Sequence, residues 1–315
     1  MSVGVDLFPG FAEHRIKTAG AEIYLRTGGS GPPLLLLHGY PMTHVTWHRI
    51  AGELVRHCTL VVPDLRGYGA SSVPDSDPEH LAYSKRVMAQ DCLEVMRALG
   101  HERFMVAGHD RGGRVGYRLA LDHPEAVGAF IPVDIIPTAE AWRATNAERS
   151  IRAYHWAFLA QPYPLPERLI SKDPTFYLDH TLASWAKSGT LSHFAPEALA
   201  CYRALLEDPA RVHAVCEDYR AGATIDWRLD EADMAAGRRI ACPTFFIWSS
   251  DYLGRGGATP IEVWRRWCSG PLSGAAIDSG HFQAEENPKD TLAALVPFLS
   301  SRPERASAKS RDPGP

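Results

Sequence analysis

The residue types best suited to covalent chemistry occur together at residues 106–113, which read VAGHDRGG. The segment follows an apolar run that predicts a strand and precedes a run that predicts a helix. It matches the nucleophile-bearing turn Gly-x-Ser-x-Gly, with Asp110 in place of the serine. Because such a turn is sharp, we expect a side chain at Gly108 or Gly112 to collide with neighbouring strands. The turn would present Asp110 at a helix N-terminus, whose dipole favours an anion.

An aspartate at this position restricts the reaction. A serine that attacks a saturated carbon forms an ether, which water does not readily cleave, whereas a carboxylate forms an ester that an activated water can hydrolyse. Asp110 therefore predicts displacement at an sp³ carbon followed by hydrolysis of the ester. The structural alternative is that Asp110 only caps the following helix. The flanking glycines and the presence of triad partners favour the nucleophile.

His281 is the predicted base of this triad. It follows an apolar strand near the C-terminus, and the chain order nucleophile, acid, histidine is typical of the α/β-hydrolase fold. It would deprotonate water rather than Asp110, which is already ionised at neutral pH. Two acids could orient its imidazole, Asp134 after a strand at residues 130–133 and Asp251 after a strand at residues 245–248, and position alone does not separate them.

Backbone and side-chain donors near the nucleophile complete the pattern. The N–H groups of Tyr40, in the turn HGYP after the first buried strand, and of Arg111 could form an oxyanion hole. Arg111 and Arg114 lie three residues apart, on one helical face. Two guanidinium groups lower the basicity of a nearby carboxylate, which makes sense if the substrate is an anion whose charge must be offset. The alternative is that one or both arginines, Arg114 before Arg111, form structural ion pairs.

The elements that must position these residues alternate along the chain. A strand with alternating polarity at residues 22–27 and buried-strand runs at residues 34–37, 60–62, 104–107, 129–133 and 245–248 are separated by amphipathic helical runs at residues 84–99, 114–123 and 259–267. This alternation predicts an α/β protein with a mostly parallel sheet flanked by helices.

One long interval, residues 138–237, has no buried-strand run and is rich in Trp, Tyr and Pro. It predicts an inserted helical cap, which would enclose a dry pocket at the carboxyl end of the sheet. We therefore divide the chain into a core at residues 1–137 and 238–300, a cap at residues 138–237, and a polar, disordered tail at residues 301–315.

Composition excludes several classes of function. A formal net charge of −4 on 315 residues gives no electrostatic reason to expect nucleic acid or a membrane as a partner. No secretory signal and no membrane-span-length apolar run is visible, so we expect a cytoplasmic protein. The six cysteines show no C-x-x-C spacing and the histidines show no ligand spacing, so we expect no metal and no organic cofactor.

Three segments resemble the haloacetate dehalogenases of the α/β-hydrolase fold. They are residues 108–114 (GHDRGGR), 154–162 (YHWAFLAQP) and 217–224 (EDYRAGAT), and the resemblance covers about residues 10–300. It implies a homodimeric enzyme without a cofactor. Such an enzyme converts a short 2-haloacid, such as fluoroacetate or chloroacetate, to the 2-hydroxyacid and halide through an aspartyl ester.

The resemblance also implies roles for individual residues. Asp110 would be the nucleophile, His281 the base and Asp134 the orienting acid, and Arg111 and Arg114 would hold the substrate carboxylate. The pocket residues carried over are the halide donors His155, Trp156 and Tyr219, the lining aromatic Trp185, and Tyr40, which stands where members often carry Phe. Without the resemblance, the aromatic residues of the cap would be interpreted as ordinary packing.

Two other functions fit parts of the pattern. An epoxide hydrolase uses the same Asp–His–acid machinery with cap tyrosines that protonate the epoxide oxygen, for which Tyr154 and Tyr219 are candidates. Those enzymes usually carry Trp after the nucleophile, whereas this chain has Arg111. A non-catalytic binding protein on this fold normally has a broken triad, and here every part of the triad is present.

Overall fold

The computed structural model describes residues 5–255 and 259–301. Within them, one sheet has the strand order β1-β2-β4-β3-β5-β6-β7-β8. The strands are β1 Ala12–Lys17, β2 Glu22–Gly28, β3 Pro33–Leu37, β4 Thr59–Pro63, β5 Phe104–His109, β6 Val127–Val133, β7 Thr244–Ser249 and β8 Leu272–Ile277. The pairs β1–β2 and β2–β4 are antiparallel, and the other pairs are parallel. The predicted mostly parallel sheet is confirmed.

Burial explains which strands the sequence pattern detects. Strand β5 is buried along its whole length, because β3 and β6 flank it and helices cover its faces. Its six residues are therefore almost all apolar, as expected for a parallel strand buried on both faces. Strand β1 is an exposed edge strand of sequence AEHRIK that pairs with β2 alone. With neither face fully buried, its sequence carries no apolar pattern that would predict a strand.

Helices flank the sheet, and eight of them, α4–α11, fall between β6 and β7 in the chain. The helices are α1 His48–Leu54, α2 Lys85–Ala98, α3 Arg111–Asp122, α4 Thr138–Arg143, α5 Ala147–Arg152, α6 Tyr154–Leu159, α7 Leu165–Ile170, α8 Pro174–Trp185, α9 Pro196–Glu207, α10 Pro209–Ala223, α11 Ile225–Ala235, α12 Ile261–Trp267, α13 Gln283–Glu286 and α14 Pro288–Ser300. Short 3₁₀ helices occupy His44–Trp47 and Leu81–Tyr83. The division into core and cap stays a prediction, and the predicted tail lies outside the described residues except for Ser301.

Two of the helices between β6 and β7 start with the same local signal. At α8 the carboxylate of Asp173 accepts a hydrogen bond from the Phe176 N–H, and at α10 that of Asp208 accepts one from the Ala210 N–H. In both, proline follows the capping aspartate at the first helical position, where its missing N–H costs nothing. These caps set where each helix begins and hence which side chains it later presents.

The parallel strands place all the predicted triad residues at one edge of the sheet. Parallel strands share the direction of their carboxyl ends, and ligands bind outside that edge in open α/β sheets. Asp110 directly follows β5, Asp134 directly follows β6, and His281 follows β8. None of the helices in the described ranges is long and apolar enough to cross a membrane.

Candidate active site

Asp110 occupies the tight turn between β5 and α3. Its φ is +46° and its ψ is −117°, a strained backbone conformation for a residue with a side chain. Its carboxylate makes no cap hydrogen bond to α3, although the residue stands at the N-cap position. The side chain is instead directed away from the helix, which favours a functional role over the capping alternative.

Gly108 and Gly112 allow this turn to form, because a side chain at either position would collide with the backbone. The predicted collision with a neighbouring strand is found at Gly112 but not at Gly108. A Cβ at Gly112 would lie 2.4–2.5 Å from the carbonyl oxygens of His38 and Leu37, so the predicted clash with the neighbouring strand is confirmed. A Cβ at Gly108 would lie 2.4 Å from the carbonyl oxygen of Gly112, in the first turn of α3. The neighbour predicted for Gly108 was wrong, because the sharp turn folds the helix back over its own strand.

Asp134 and His281 form a buried hydrogen-bonded pair. His281 Nδ1 lies 2.6 Å from Asp134 Oδ2, and the other carboxylate oxygen accepts hydrogen bonds from the backbone N–H and hydroxyl of Ser249 at 2.8 and 2.7 Å. The second imidazole nitrogen, Nε2, lies 3.7 Å from Asp110 Oδ2. That separation is too long for a direct hydrogen bond. The imidazole is thus fixed by Asp134 and faces the Asp110 carboxylate.

The structure places the other candidate acid, Asp251, away from the imidazole. Asp251 is exposed, and its hydrogen bond to Ser279 is made by its backbone N–H. Asp134 has a positive φ of +53° at the end of β6, which directs its carboxylate toward His281. Of the two alternatives that position left open, Asp134 is therefore the one in contact with the histidine.

Exchanging the two acids gives a direct test of this geometry. Asp134→Asn should lower kcat by about 10²–10⁴-fold, because an amide cannot offset the imidazolium charge and can favour the wrong tautomer. Asp251→Asn is the matched control and should change kcat less than threefold. Steady-state kinetics of both purified variants supply the comparison. A larger loss in the Asp251 variant would contradict the assignment.

The three ionisable groups of the triad influence one another strongly. Burial disfavours charge on His281, but Asp110 and Asp134 outweigh it and raise the pKa of His281 to about 9. Burial would likewise raise the pKa of Asp110, yet His281, His109 and Arg114 hold that pKa well below its usual range. With both pKa values shifted in these directions, the resting site holds an ionised nucleophile facing a positively charged imidazole.

Tyr40 contributes its backbone to the same carboxylate. Its N–H donates to Asp110 Oδ1 at 3.0 Å, leaving the other oxygen, Oδ2, on the side of His281. Gly39 permits this approach, since a Cβ there would lie 2.4 Å from the Asp110 Cβ. The Tyr40 N–H therefore lies where an oxyanion on Oδ1 would need a donor. The matching role of the Arg111 N–H stays a prediction.

Of the two arginines after the nucleophile, Arg111 forms an ion pair with a carboxylate and Arg114 does not. Arg111 is fully buried and ion-paired with Asp218, with its Nε 3.1 Å from both carboxylate oxygens. Arg114 donates to the carbonyl of Ile136 and the hydroxyl of Thr138, and no carboxylate pairs with it among the described residues. The structural alternative ranked an ion pair at Arg114 above one at Arg111. That ranking was wrong, because Asp218 on α10 pairs with Arg111.

Asp218 joins several buried groups below Arg111. Its carboxylate also accepts from the Tyr68 hydroxyl at 2.8 Å and pairs with Lys85. Burial opposes its ionisation, but Arg111 and Lys85 lower the pKa of Asp218 to about 2. The charge of Arg111 is thus largely offset inside the protein, although its Nη1 has no hydrogen-bond partner among the described residues.

Removing the Asp218 carboxylate should destabilise the fold. Asp218→Asn leaves the buried Arg111 without its carboxylate partner and Lys85 with only Asp226, 3.8 Å away. We expect the free energy of unfolding to fall by about 3–5 kcal/mol, measured by urea denaturation. Asp179→Asn is the matched control, since Asp179 pairs with Arg203 near the surface and should cost at most about 1 kcal/mol. Equal losses in the two variants would contradict the buried network.

Polar atoms without partners are concentrated around the nucleophile. Buried donors that lack a hydrogen-bond partner within the described ranges include His155 Nδ1, Tyr219 OH, Trp185 Nε1, Tyr40 OH and Arg114 Nε. Native proteins rarely leave such groups unpaired, because each costs about 1–3 kcal/mol. A cluster of them beside a carboxylate therefore indicates a site for an electron-rich ligand atom.

The aromatic members of this cluster contact one another. The His155 ring lies 4.4 Å from that of Trp185 and 5.6 Å from that of Tyr219, and the Tyr40 ring lies 5.3 Å from that of Tyr219. Burial lowers the pKa of His155 to about 3, so its imidazole is neutral and can still donate one N–H. The structure thus brings together the predicted halide residues His155 and Tyr219, with Tyr40 and Trp185 beside them.

A cavity of about 550 Å³ leads from the surface to Asp110. Of the predicted site residues, the cavity wall includes Asp110, Arg114, Asp134, His155, Trp156 and His281. The Trp156 ring lies 4.4 Å from the Arg114 guanidinium carbon and covers it. The remaining predicted residues, Tyr40, Arg111, Trp185 and Tyr219, are buried directly next to these wall residues: the centre of the Tyr219 ring lies 5.6 Å from that of His155, and the Arg111 guanidinium carbon lies 5.9 Å from the centre of the Trp156 ring.

Some residues of the site were not assigned a role from sequence. Asp218 lies in the segment EDYRAGAT, but an isolated aspartate in a helix gives no signal of its distant partner Arg111. His109 lies in the nucleophile turn, where its Nε2 contacts the His281 carbonyl oxygen at 2.7 Å and burial lowers its pKa to about 4. The Tyr252 ring packs against that of His281, with ring centres 4.6 Å apart and an angle of 41° between the ring planes. Contacts made across the fold have no local sequence pattern.

Comparisons with known proteins agree with this geometry. A family model described as the alpha/beta hydrolase fold matches residues 32–288. A fluoroacetate dehalogenase from Burkholderia sp. is 42% identical over 294 residues, 93% of this chain and 95% of that protein. The crystal structure of ALR0039 from Nostoc sp. PCC 7120 has a TM-score of 0.89 at 48% identity and covers 93% of this chain and 99% of its own. A soluble epoxide hydrolase from Corynebacterium sp. is 29% identical over 289 residues, 91% of this chain and 96% of that protein.

A mostly parallel sheet that carries an aspartate on its strand-to-helix turn, with a histidine and a second aspartate at the same edge, defines the class: the chain belongs to the α/β-hydrolase fold family. Within that family it is a member of the haloacetate dehalogenases, as its identity to the Burkholderia protein shows. The fold and the family predicted from sequence are both confirmed.

Proposed function

We propose that this enzyme hydrolyses the carbon–halogen bond of short 2-haloacids such as fluoroacetate and chloroacetate, releasing the 2-hydroxyacid and halide. The observation that carries the proposal is one cavity wall holding both Asp110 and Arg114, a nucleophile and a buried cation with no carboxylate partner among the described residues. A neutral substrate would leave that cation unbalanced, whereas a haloacid brings its own carboxylate.

The first step is displacement at the carbon that bears the halogen. Asp110 Oδ2 attacks this carbon from the side opposite the halogen, and the halide leaves with the bonding electron pair. Arg114, aided by Arg111, holds the substrate carboxylate in place. The unpartnered donors of His155 and Tyr219, with Trp156 as the third predicted donor, stabilise the charge that develops on the halogen.

The second step is hydrolysis of the aspartyl ester. His281 Nε2 takes a proton from water, and the resulting hydroxide attacks the Asp110 carboxyl carbon. The Tyr40 N–H, already 3.0 Å from Oδ1, stabilises the oxyanion that forms there. Collapse expels the alkoxide, which takes the proton from His281, and Asp110 passes its new proton to His281, which restores the charged imidazole of the resting site. The proton released overall is the one that His281 loses once the ester has formed. One haloacid and one water thus give one hydroxyacid, one halide and one proton.

Esterification also prepares the histidine for its task. The negative charge of Asp110 helps to raise the pKa of His281, and the ester removes that charge. The imidazole therefore becomes less basic once the first step is complete, and its neutral form becomes available at a lower pH. The covalent step in this way converts His281 from a charged group into a base that can activate water.

Halide release provides the test of the function. Purified protein incubated with fluoroacetate and with chloroacetate should release the halide with one equivalent of glycolate, and a panel of small epoxides run in parallel should give no diol. An ion-selective electrode and chromatography measure the products. Diol formation without halide release would instead support the epoxide hydrolase, for which the unpartnered Tyr219 hydroxyl is the candidate acid. Absence of any product would favour a binding protein.

We also propose that the enzyme is a homodimer in the cytoplasm. Five described cysteines, Cys58, Cys92, Cys201, Cys216 and Cys268, form no disulfide, as expected for a reducing compartment. Light scattering on the purified protein should give twice the 34.7 kDa mass of one chain. A mass equal to one chain would contradict the dimer.

A further inference from the structure

The cavity that reaches Asp110 carries more positive charge than a two-carbon substrate requires. Besides Arg114, its wall includes Arg149, Arg152 and Arg255. Arg149 and Arg152 belong to α5, and both are partly buried. The single carboxylate of a haloacetate would interact with Arg114 and Arg111. The guanidinium groups of α5 then have no role in the proposed reaction.

These two arginines have no acidic partner inside the part of the chain that the structure describes. Among the described residues no carboxylate forms an ion pair with Arg149 or Arg152, and the charged neighbours that affect Arg149 are Arg114 and Arg152. The Arg152 guanidinium carbon lies 5.5 Å from the centre of the Tyr252 ring. The cavity wall contains one acidic residue outside the triad, Glu148, which is exposed. Asp110 and Asp134 are not available, since both interact with His281.

Like charges held together in this way oppose folding. Burial lowers the pKa of Arg149, and the nearby charges of Arg114 and Arg152 lower it further. The three guanidinium groups therefore repel one another. An anion bound among them would relieve that repulsion and gain charge-assisted hydrogen bonds. Since Arg114 is engaged by the first carboxylate, the arginines of α5 can interact with a second anionic group.

The size of the cavity allows a substrate with two anionic groups. Its volume of about 550 Å³ lies within the range of about 300–1,000 Å³ that is usual for ligands much larger than a haloacetate. Asp110, Arg149 and Arg152 all line this one cavity, so a longer acid bound in it can contact both regions.

We propose that Arg149 and Arg152 form a second anionic subsite, which holds the distal carboxylate of a 2-halodicarboxylic acid while Asp110 displaces its halide. The proposal rests on the dehalogenase function and extends its substrate class to dicarboxylates. The chemical steps stay the same, and the arginines of α5 act on binding alone.

Binding of halogen-free acids tests the subsite independently of turnover. Isothermal titration of the wild-type protein should give a dissociation constant for succinate at least tenfold lower than that for butyrate, which has the same number of carbons and one carboxylate. In Arg149→Gln/Arg152→Gln the ratio of the two constants should approach one. Equal affinities in the wild type, or a preference for succinate that persists in the variant, would overturn the proposal.

Turnover tests the substrate class. The ratio of kcat/KM for 2-chlorosuccinate to that for 2-chlorobutyrate should be at least tenfold higher in the wild type than in the double variant. A control variant, Arg97→Gln/Arg265→Gln, removes the same two charges at exposed positions, where the arginines pair with Glu102 and Glu262, and should leave the ratio unchanged. A ratio that falls equally in both variants would show a general charge effect and overturn the subsite.

The same preparations distinguish this proposal from the dehalogenase function itself. Chloride release from chloroacetate is measured beside 2-chlorosuccinate. Turnover of chloroacetate without any advantage for 2-chlorosuccinate over 2-chlorobutyrate would overturn the subsite and leave the proposed function intact. Failure to release chloride from all three acids would overturn the proposed function, and the titration with succinate would then decide the subsite alone.

Discussion

Asp110→Asn should reduce halide release from chloroacetate by on the order of 10⁴-fold or more. The amide is nearly isosteric with the carboxylate and keeps the turn, but it lacks the charged oxygen that attacks carbon. We expect the variant to remain folded, because the amide oxygen can still accept the hydrogen bond that the Tyr40 N–H donates to Asp110 Oδ1, although it no longer offsets the charge of His281. Steady-state assays of halide release and a thermal melt measure the two quantities.

A second variant guards against chemical reversion of the asparagine. Asp110→Ala cannot regain a carboxylate by deamidation, and it should be as inactive as Asp110→Asn. Activity above a tenth of the wild-type value in Asp110→Ala would remove the nucleophile assignment.

The loss of the Asp110 charge should also be visible at His281. The pKa of His281 is raised to about 9 partly by Asp110, so it should fall in Asp110→Asn. Removal of a negative neighbour makes the imidazolium less stable, which fixes the sign of the change. Nuclear magnetic resonance titration of the imidazole measures it in both proteins. An unchanged pKa would mean that the two groups are not coupled.

His281→Asn should stop the reaction after the first step. Asp110 can still displace halide, but no group is left to deprotonate the water that cleaves the ester. We expect one equivalent of halide in a burst, followed by turnover at least about 10³-fold below wild type. Mass spectrometry should find one carboxymethyl group on the peptide that contains Asp110 after incubation with chloroacetate.

The control for this prediction is Asp110→Ala/His281→Asn, which should form no adduct. A modified peptide in the double variant would place the label on another nucleophile. Absence of both burst and adduct in His281→Asn would contradict the two-step chemistry.

The wild-type enzyme should show the same dependence on His281 in its pH profile. The hydrolysis step requires the neutral imidazole, so its rate should rise as pH increases through the pKa of His281 in the ester and then level off. Because esterification removes the Asp110 charge, that pKa should lie below the value of about 9 in the resting enzyme. Single-turnover measurements from pH 5 to pH 10 give the profile, and a rate that falls with rising pH would exclude a histidine base.

Local pattern was sufficient for much of the fold and of the catalytic centre. Strands such as β5 are buried on both faces, so their apolar runs are continuous and easy to detect. The turn after β5 needs glycine on both sides of Asp110 because backbone atoms pass within 2.4 Å of where a Cβ would stand. At Gly108 the constraint comes from Gly112 and at Gly112 it comes from the end of β3, but both require a glycine at a fixed spacing from Asp110, which leaves a visible trace in the sequence.

The exposed strand β1 and the partner of Arg111 lacked such a trace. β1 pairs with one strand and faces solvent, so nothing selects an alternating apolar pattern along it. Arg111 and Asp218 are 107 positions apart, and their pairing depends on how α10 packs over the start of α3. The sequence pattern for an anion-binding arginine and that for an ion-paired arginine are the same.

The sequence alone therefore determined which residue attacks and which histidine follows it, because the glycine spacing around the turn and the chain order specify both. The tertiary structure decided the acid, the pairing of Arg111 and the contents of the cavity wall. Asp134 rather than Asp251 reaches the imidazole because the backbone at the end of β6 turns its carboxylate toward His281. Choices of this kind depend on distances between elements, which arise only when the whole chain packs.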